Sequence, residues 1–282
     1  MSAKKREEGG HKRIKKREKI LFLFCFFCPE KSSKSNMSFY IGLSFFSTDT
    51  AAAQKKYSSA EARRILALFN GYSAEEANSI YADIREDAAG RPYLFKKDAD
   101  FSITHCSCRG CFSGITSVSF IEGGNLRTGC DIERVLPRKG AKEIANEFYS
   151  KYEKQYICNT GKFDLKKFYE IWTLKECYIK LKGLSVFDMA CVPSFISQSL
   201  KFEFTGTAVL PLFFTLYEFT DNSNPIYANE HYMLAAVIEG SRDGFILQPP
   251  EIIWFSQSSF VCKIIVEINA ALNPAHTVSP KM

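Results

Sequence analysis

Two short stretches carry residue types that do chemistry. In Gly129-Cys-Asp-Ile-Glu133 acids alternate with apolar residues. On a strand of period two this puts Asp131 and Glu133 on one side and Cys130 and Ile132 on the other. In Phe168-Tyr-Glu-Ile-Trp-Thr-Leu-Lys-Glu-Cys-Tyr-Ile-Lys-Leu-Lys-Gly183, the residues Phe168, Trp172, Glu176 and Lys180 fall four apart. They share one helical face, so a carboxylate and an ammonium stand one turn apart above an indole. Thr173-x-x-Glu176 also fits a capping box, but the stripe continues upstream through Phe168. The helix is therefore expected to begin near Asp164, and Thr173 is not its cap. Three acids from a strand and a helix can converge on a hard, oxygen-seeking cation such as Mg²⁺ beside a phosphate-bearing substrate. Asp131, Glu133 and Glu176 are the candidate metal ligands.

In this order, Gly-x-Asp-x-Glu and Trp-x-x-Lys-Glu-x-x-x-Lys-x-x-Gly resemble the signature of the 4′-phosphopantetheinyl transferases of the surfactin-synthetase-activating type. Gly90-Arg-Pro92 and Phe101-Ser-Ile-Thr-His105 resemble two further motifs of that family, and the likeness covers residues 37 to 245. Any one motif alone is weak; four in the right order are not. The resemblance implies Mg²⁺-dependent transfer of the phosphopantetheine arm of coenzyme A to a serine hydroxyl of an apo carrier protein, releasing adenosine 3′,5′-bisphosphate. It implies that Glu176 takes the serine proton, directly or through a metal-bound water, and Lys180, one turn on, is placed to pair with a phosphate or with the leaving group. Coenzyme A would be met by Arg64, Arg91, Thr104, His105 and Lys175. A catalytically silent module that only holds coenzyme A or a carrier is the alternative. The implied fold is α+β, two similar halves related by a pseudo-two-fold, each with helices packed on a small antiparallel sheet.

The elements that must position these residues are partly legible. Phe39-Tyr-Ile-Gly-Leu-Ser-Phe reads as a first strand. A helix is expected from Ala60 to Asn70, capped by Ser58 or Ser59, with Arg63 and Arg64 on it. A second helix is expected from Ser73 to Arg85, then a turn at Gly90-Arg-Pro92 into an extended segment. Phe101 to His105 alternates as a strand. Ile115–Ile121 and Leu126–Glu133 are expected to form a hairpin across Glu122-Gly-Gly-Asn125. Phe202–Phe204, Leu212–Phe219 and His231–Ile238 read as further strands. The halves are drawn at 37 to 115 and 116 to 245, and residues 246 to 282 are an uninformative extension.

The chain has 282 residues and is 46% hydrophobic, enough to bury a core without disulfides. The net charge of +6 suggests a nucleic-acid partner, but eleven Lys/Arg against four Asp/Glu lie in residues 1 to 36, and the remainder is slightly acidic. No nucleic-acid partner is therefore expected. Ile20–Cys28 is apolar yet far shorter than the ~20 residues that span a bilayer. Residues 1 to 36 are read as a dispensable leader, a peripheral membrane anchor being the alternative. Within residues 134 to 182, twelve Lys/Arg face six Asp/Glu, a surplus suited to an acidic carrier protein or a polyphosphate. The ten scattered cysteines fit free thiols in a reducing compartment, and a cytoplasmic monomer is expected. His105, Cys106, Cys108 and Cys111 have the donor types of a zinc tetrahedron, but adjacent ligands and a Cys-x-Cys pair crowd that geometry.

Overall fold

The β-prone run at the start forms β1 (Phe39–Ser47). The computed structural model describes residues 39–270 apart from 74–75, 96–97, 108–112, 124, 160, 197, 200, 206–209, 222–229, 241–249 and 256–259. The leader and the cysteines at 108 and 111 thus lie outside the described residues.

Helix α1 (Ala51–Phe69) begins nine residues before the expected start, with Thr50 as its cap. The Thr50 side chain accepts the Ala53 N–H at 3.1 Å. Three successive alanines, the best helix formers, carry the helix back to that cap. Ser58 is buried inside it and bonds back to the Lys55 carbonyl. The helix expected over 73 to 85 is only a 3-10 turn, Ala77–Ala82. The chain then turns to β2 (Ile84–Glu86) and β3 (Pro92–Leu94), which pair antiparallel. Asp87 closes that hairpin by accepting the Ala89 and Arg91 N–H groups, and Gly90 supplies a φ of 81°.

Strands β4 (Ala99–Ser107), β5 (Ser113–Glu122) and β6 (Arg127–Arg134) follow. The expected β5–β6 hairpin does not form. Both edges of β5 are taken, by β1 on one side and β4 on the other, while β6 pairs with a later strand. Next come α2 (Ala141–Phe148), α3 (Lys151–Ile157) and α4 (Leu165–Lys182). Helix α4 begins near Asp164 as expected, and Asp164 is its cap, with its carboxylate accepting the Lys167 N–H. A 3-10 helix spans Val186–Cys191. Of the strand expected at 202 to 204 only an isolated bridge between Ile196 and Phe202 is present. The chain continues through β7 (Leu212–Asp221), β8 (His231–Glu239), β9 (Glu251–Trp254) and β10 (Phe260–Ala270).

The result is α+β. One sheet runs β4-β5-β1-β9 and another β10-β7-β8-β6, antiparallel except where β9 joins β1. The boundary drawn at residue 115 falls within β5, and the C-terminal segment supplies one strand to each sheet. Three apolar clusters set the layering. Ile65 and Leu66 of α1 pack on Phe101, Val118 and Phe120. Ile41, Leu43 and Ile115 meet Ile132, Leu234 and Ala236 between the sheets. Phe168, Ile171 and Leu174 of α4 pack on Phe214, Leu216 and Ala235. Ile132 faces the inter-sheet core, so by the alternation of β6 its acidic neighbours face α4.

Candidate active site

The site begins with a close approach. A Cβ at Gly129 would lie 2.4 Å from the Cys177 carbonyl oxygen and 2.9 Å from the Leu181 nitrogen. Only glycine admits α4 this near to β6. The Cys177 thiol contacts the Gly129 carbonyl at 3.3 Å across the seam. Glu176 and Lys180 immediately precede those two contact residues, so the same approach brings both to Asp131.

Lys180 Nζ donates to Asp131 Oδ1 at 2.6 Å, and Thr104 Oγ1 of β4 donates to the same oxygen at 3.0 Å. Asp131 Oδ2 is buried with no hydrogen-bond partner among the described residues. The Trp172 indole N–H donates to Glu133 Oε1 at 3.0 Å, and the Arg138 guanidinium lies 5.0 Å from the centre of the Trp172 ring.

The electrostatics follow from crowding. Burial pushes the Glu176 carboxyl up to about 7, and the charge of Asp131 adds to this, against Lys180 and Arg138. Glu133 is likewise pushed up to about 7 by burial and by Asp131, opposed by the Trp172 hydrogen bond, Arg138 and Lys180. The Lys180 ammonium loses water, yet Asp131, Cys130 and Glu176 outweigh that and raise its pKa. His105 is lowered, first by partial loss of water and then by Lys180. Its field also includes Asp131 and Lys55, so imidazole, two ammoniums and the acids share one neighbourhood.

These residues fit Mg²⁺ in donor type and charge: hard oxygens, one of them buried and unpartnered, and neighbouring carboxyls that resist ionising together. Asp131, Glu133 and Glu176 are the residues that would hold it. They are not already drawn into a coordination shell, since among the described residues no three His, Cys, Asp or Glu side chains form a ready metal group. The Lys180 ammonium instead stands against Asp131.

Three residues expected to meet coenzyme A are engaged elsewhere. Arg91 is buried, its guanidinium bidentate on Asp100 at 2.9 and 2.5 Å, and it also donates to the carbonyls of Thr128 at 3.0 Å and Lys180 at 3.2 Å. It ties the loop before β3 to β4, β6 and the end of α4. The Lys175 ammonium is 1% exposed and stands 3.3 Å from Glu153 Oε1, donating also to the Val192 carbonyl. Loss of water lowers its pKa, and Glu153 opposes that. Arg64 is half-buried on α1, chelating Glu61 and lying over the Phe255 ring. Thr104 and His105 do stand at the acid cluster. Cys106 is buried and its thiol is pushed up by loss of water.

Residue-level reading missed Arg138 and Lys55. The excess of cations after residue 134 was the available signal for Arg138, but no periodicity singles it out within a loop.

A model of the 4′-phosphopantetheinyl transferase superfamily matches residues 127–225, the segment that runs from β6 through α4 to β7. Two curated proteins, each a 4′-phosphopantetheinyl transferase AcpT, one of Salmonella typhi and one of Salmonella typhimurium (strain LT2), are 32% identical to the chain over 74 residues. That stretch is 26% of this chain and 38% of either relative.

Proposed function

We infer that this chain, whose residues 127–225 match the 4′-phosphopantetheinyl transferase superfamily, moves the phosphopantetheine arm of coenzyme A onto a serine hydroxyl of an apo carrier protein. The observation that carries this reading is the meeting of β6 and α4 inside the matched segment. It sets Glu176 and Lys180 beside Asp131, with Glu133 held by Trp172. The acid and lysine positions of the surfactin-synthetase-activating signature are all filled, which supports that subtype.

In the reaction the serine oxygen attacks the phosphorus nearest the pantetheine arm. The bond from that phosphorus to the bridging oxygen breaks, and adenosine 3′,5′-bisphosphate departs with the electron pair. Asp131, Glu133 and Glu176 would hold Mg²⁺, which when bound would supply charge neutralisation at the diphosphate. Glu176, whose carboxyl burial and the charge of Asp131 push up to about 7 before any ion is bound, is the group that accepts the serine proton. The Lys180 ammonium swings from Asp131 to the phosphate as the diphosphate enters, and Thr104 keeps Asp131 oriented. His105 and Lys55 add donors for the anion. A soluble cytoplasmic monomer suits this role, because coenzyme A is abundant there; among the described residues no helix is long and apolar enough to cross a membrane.

The test is a transfer assay with coenzyme A, Mg²⁺ and a panel of apo carrier proteins, following the mass gain of the carrier. Transfer that is lost in Asp131→Ala and Glu176→Ala supports the reading; near-normal turnover in either variant defeats it. A second reading, a silent coenzyme A or carrier-binding module, draws on the Lys180–Asp131 pair, which occupies a carboxylate oxygen that a metal would need. Tight binding with no mass gain on any carrier would select it.

A further inference from the structure

Arg138 belongs to the segment between β6 and α2, and no step above uses it. That segment is fastened at several points. The Val135 N–H donates to the His231 carbonyl at 2.8 Å, the Tyr169 hydroxyl donates to the Leu136 carbonyl at 3.0 Å, and the Ala141 N–H donates to the Arg138 carbonyl at 3.2 Å. The base of the Arg138 side chain is thus held from three sides, by β8, α4 and α2. From there its guanidinium reaches the face of Trp172, 5.0 Å from the ring centre.

Trp172 is the only side chain that any described hydrogen bond connects to the Glu133 carboxylate. The indole is 5% exposed and stacks with Phe168 at 6.0 Å, one turn earlier on the same helix. Phe168 limits where the ring can go within α4, but it comes from that same helix and cannot pin the ring relative to β6. Arg138 can, because its backbone continues directly from β6, which also carries Glu133. A flat cation on an aromatic face holds both against sliding.

We propose that Arg138 is a positioning residue, whose guanidinium on the Trp172 ring keeps the indole N–H on Glu133 and thereby fixes the direction of that carboxylate. The assignment rests on the transferase reading only for the use made of Glu133; the contact itself is independent of it. Without Arg138 the indole turns more freely, its N–H spends part of its time off the carboxylate, and Glu133 meets an incoming divalent ion in more than one orientation.

The test uses the full chain labelled with ¹⁵N, in a Trp254→Phe background that leaves Trp172 as the one indole resonance. The rate of hydrogen exchange at that indole N–H is compared in Arg138, Arg138→Ala and Arg138→Lys proteins. Cation–π contacts are of a strength that shifts such an opening equilibrium by roughly two- to tenfold. Exchange is expected to speed up by that factor in Arg138→Ala, with Arg138→Lys between, since it keeps the charge but loses the flat stacking face. The Mg²⁺ concentration for half-maximal transfer should rise in the same order, while kcat at saturating Mg²⁺ changes less. An indole exchange rate and position unchanged in both variants would overturn the proposal. Exchange is read whether or not the chain transfers anything, so a failed assay sinks the enzyme reading and leaves this assignment to be judged on its own signal.

Discussion

Lys180 Nζ stands 2.6 Å from Asp131 Oδ1, joining the last turns of α4 to the middle of β6. This pair holds the site in its resting charge state. The lysine compensates an aspartate that is 4% exposed and that raises the pKa of both neighbouring glutamates. Among the described residues Asp131 Oδ2 is buried with no hydrogen-bond partner, so the compensation is partial and the site retains an electrostatic demand that a divalent cation can meet.

Replacing Lys180 by Met should therefore destabilise the metal-free protein, and more at pH 8 than at pH 6. At the lower pH the crowded carboxyls take up protons and need the ammonium less. Losing one partner of a fully buried pair costs about 3–5 kcal/mol, and because the Lys180 side chain is 30% exposed a smaller loss, on the order of 1–3 kcal/mol, is expected by urea unfolding. Mg²⁺ should recover part of the loss, and a variant equally stable at both pH values would show that the lysine does not carry this charge balance.

Glu176 gives a pH signature of opposite sense for stability and for rate. Its folded pKa of about 7 lies above the ordinary 4.5, so between those values the native state binds the extra proton and its stability falls as pH rises through that window. Glu176→Gln removes its share of the dependence, leaving that of Glu133, and should raise metal-free stability at pH 8 by on the order of 1–2 kcal/mol. Transfer should instead climb as pH rises toward 7 in the native enzyme, and Glu176→Gln should lower it by about a hundredfold or more. Thermal melts and pH–rate profiles on the same two proteins separate the effects.

Gly129→Ala should be more damaging than its single methyl suggests. The added Cβ meets helix backbone, at 2.4 Å from the Cys177 oxygen, and neither partner can move alone. A loss of about 2–4 kcal/mol is expected, in the upper range of overpacking. Lys180 should also be separated from Asp131. A variant with native melting temperature and native activity would mean that α4 and β6 have slack between them.

Arg91→Ala should act on stability before it acts on coenzyme A. Its guanidinium is committed to Asp100 and to three carbonyls, and removing it leaves the buried Asp100 with the Thr128 N–H but without its cation, at a cost of about 3 kcal/mol or more. Asp100→Asn, which retains two acceptor or donor atoms, should be milder. A folded Arg91→Ala protein of native stability with a greatly raised KM for coenzyme A would reverse this assignment and make the residue a nucleotide contact.

Several parts were legible because local patterns dictate them. The alternation in 129 to 133 places two acids on one side of β6, and the spacing of four from Phe168 to Lys180, with Asp164 before it and Gly183 after it, marks out α4. Other readings failed where the deciding force lies elsewhere in the chain. The β5–β6 hairpin looked correct because its turn residues are suitable. It is absent because β1 and β4 occupy both edges of β5, which no window around residue 122 can register. Helix α1 starts at Thr50 rather than Ser58 because two candidate caps compete and the run of alanines favours the earlier one. Strands β9 and β10 are rich in β-branched and aromatic residues, but which sheet each joins is set by the ladders they extend.

Residue types and spacing alone determined which side chains carry charge and which side of a strand or helix they occupy, since periods of two and 3.6 residues are properties of the backbone. What the fold alone decided is how that chemistry is spent. Arg91, Lys175 and Lys180 are all cations within the motif stretches, yet the first is locked to Asp100 and the second to Glu153 in the interior, and of the three only Lys180 meets Asp131. A charged group is committed by whichever opposite charge packing brings within about 3 Å, and at that range Coulomb attraction in a dry interior dominates every local preference. That distance is set between elements far apart in sequence.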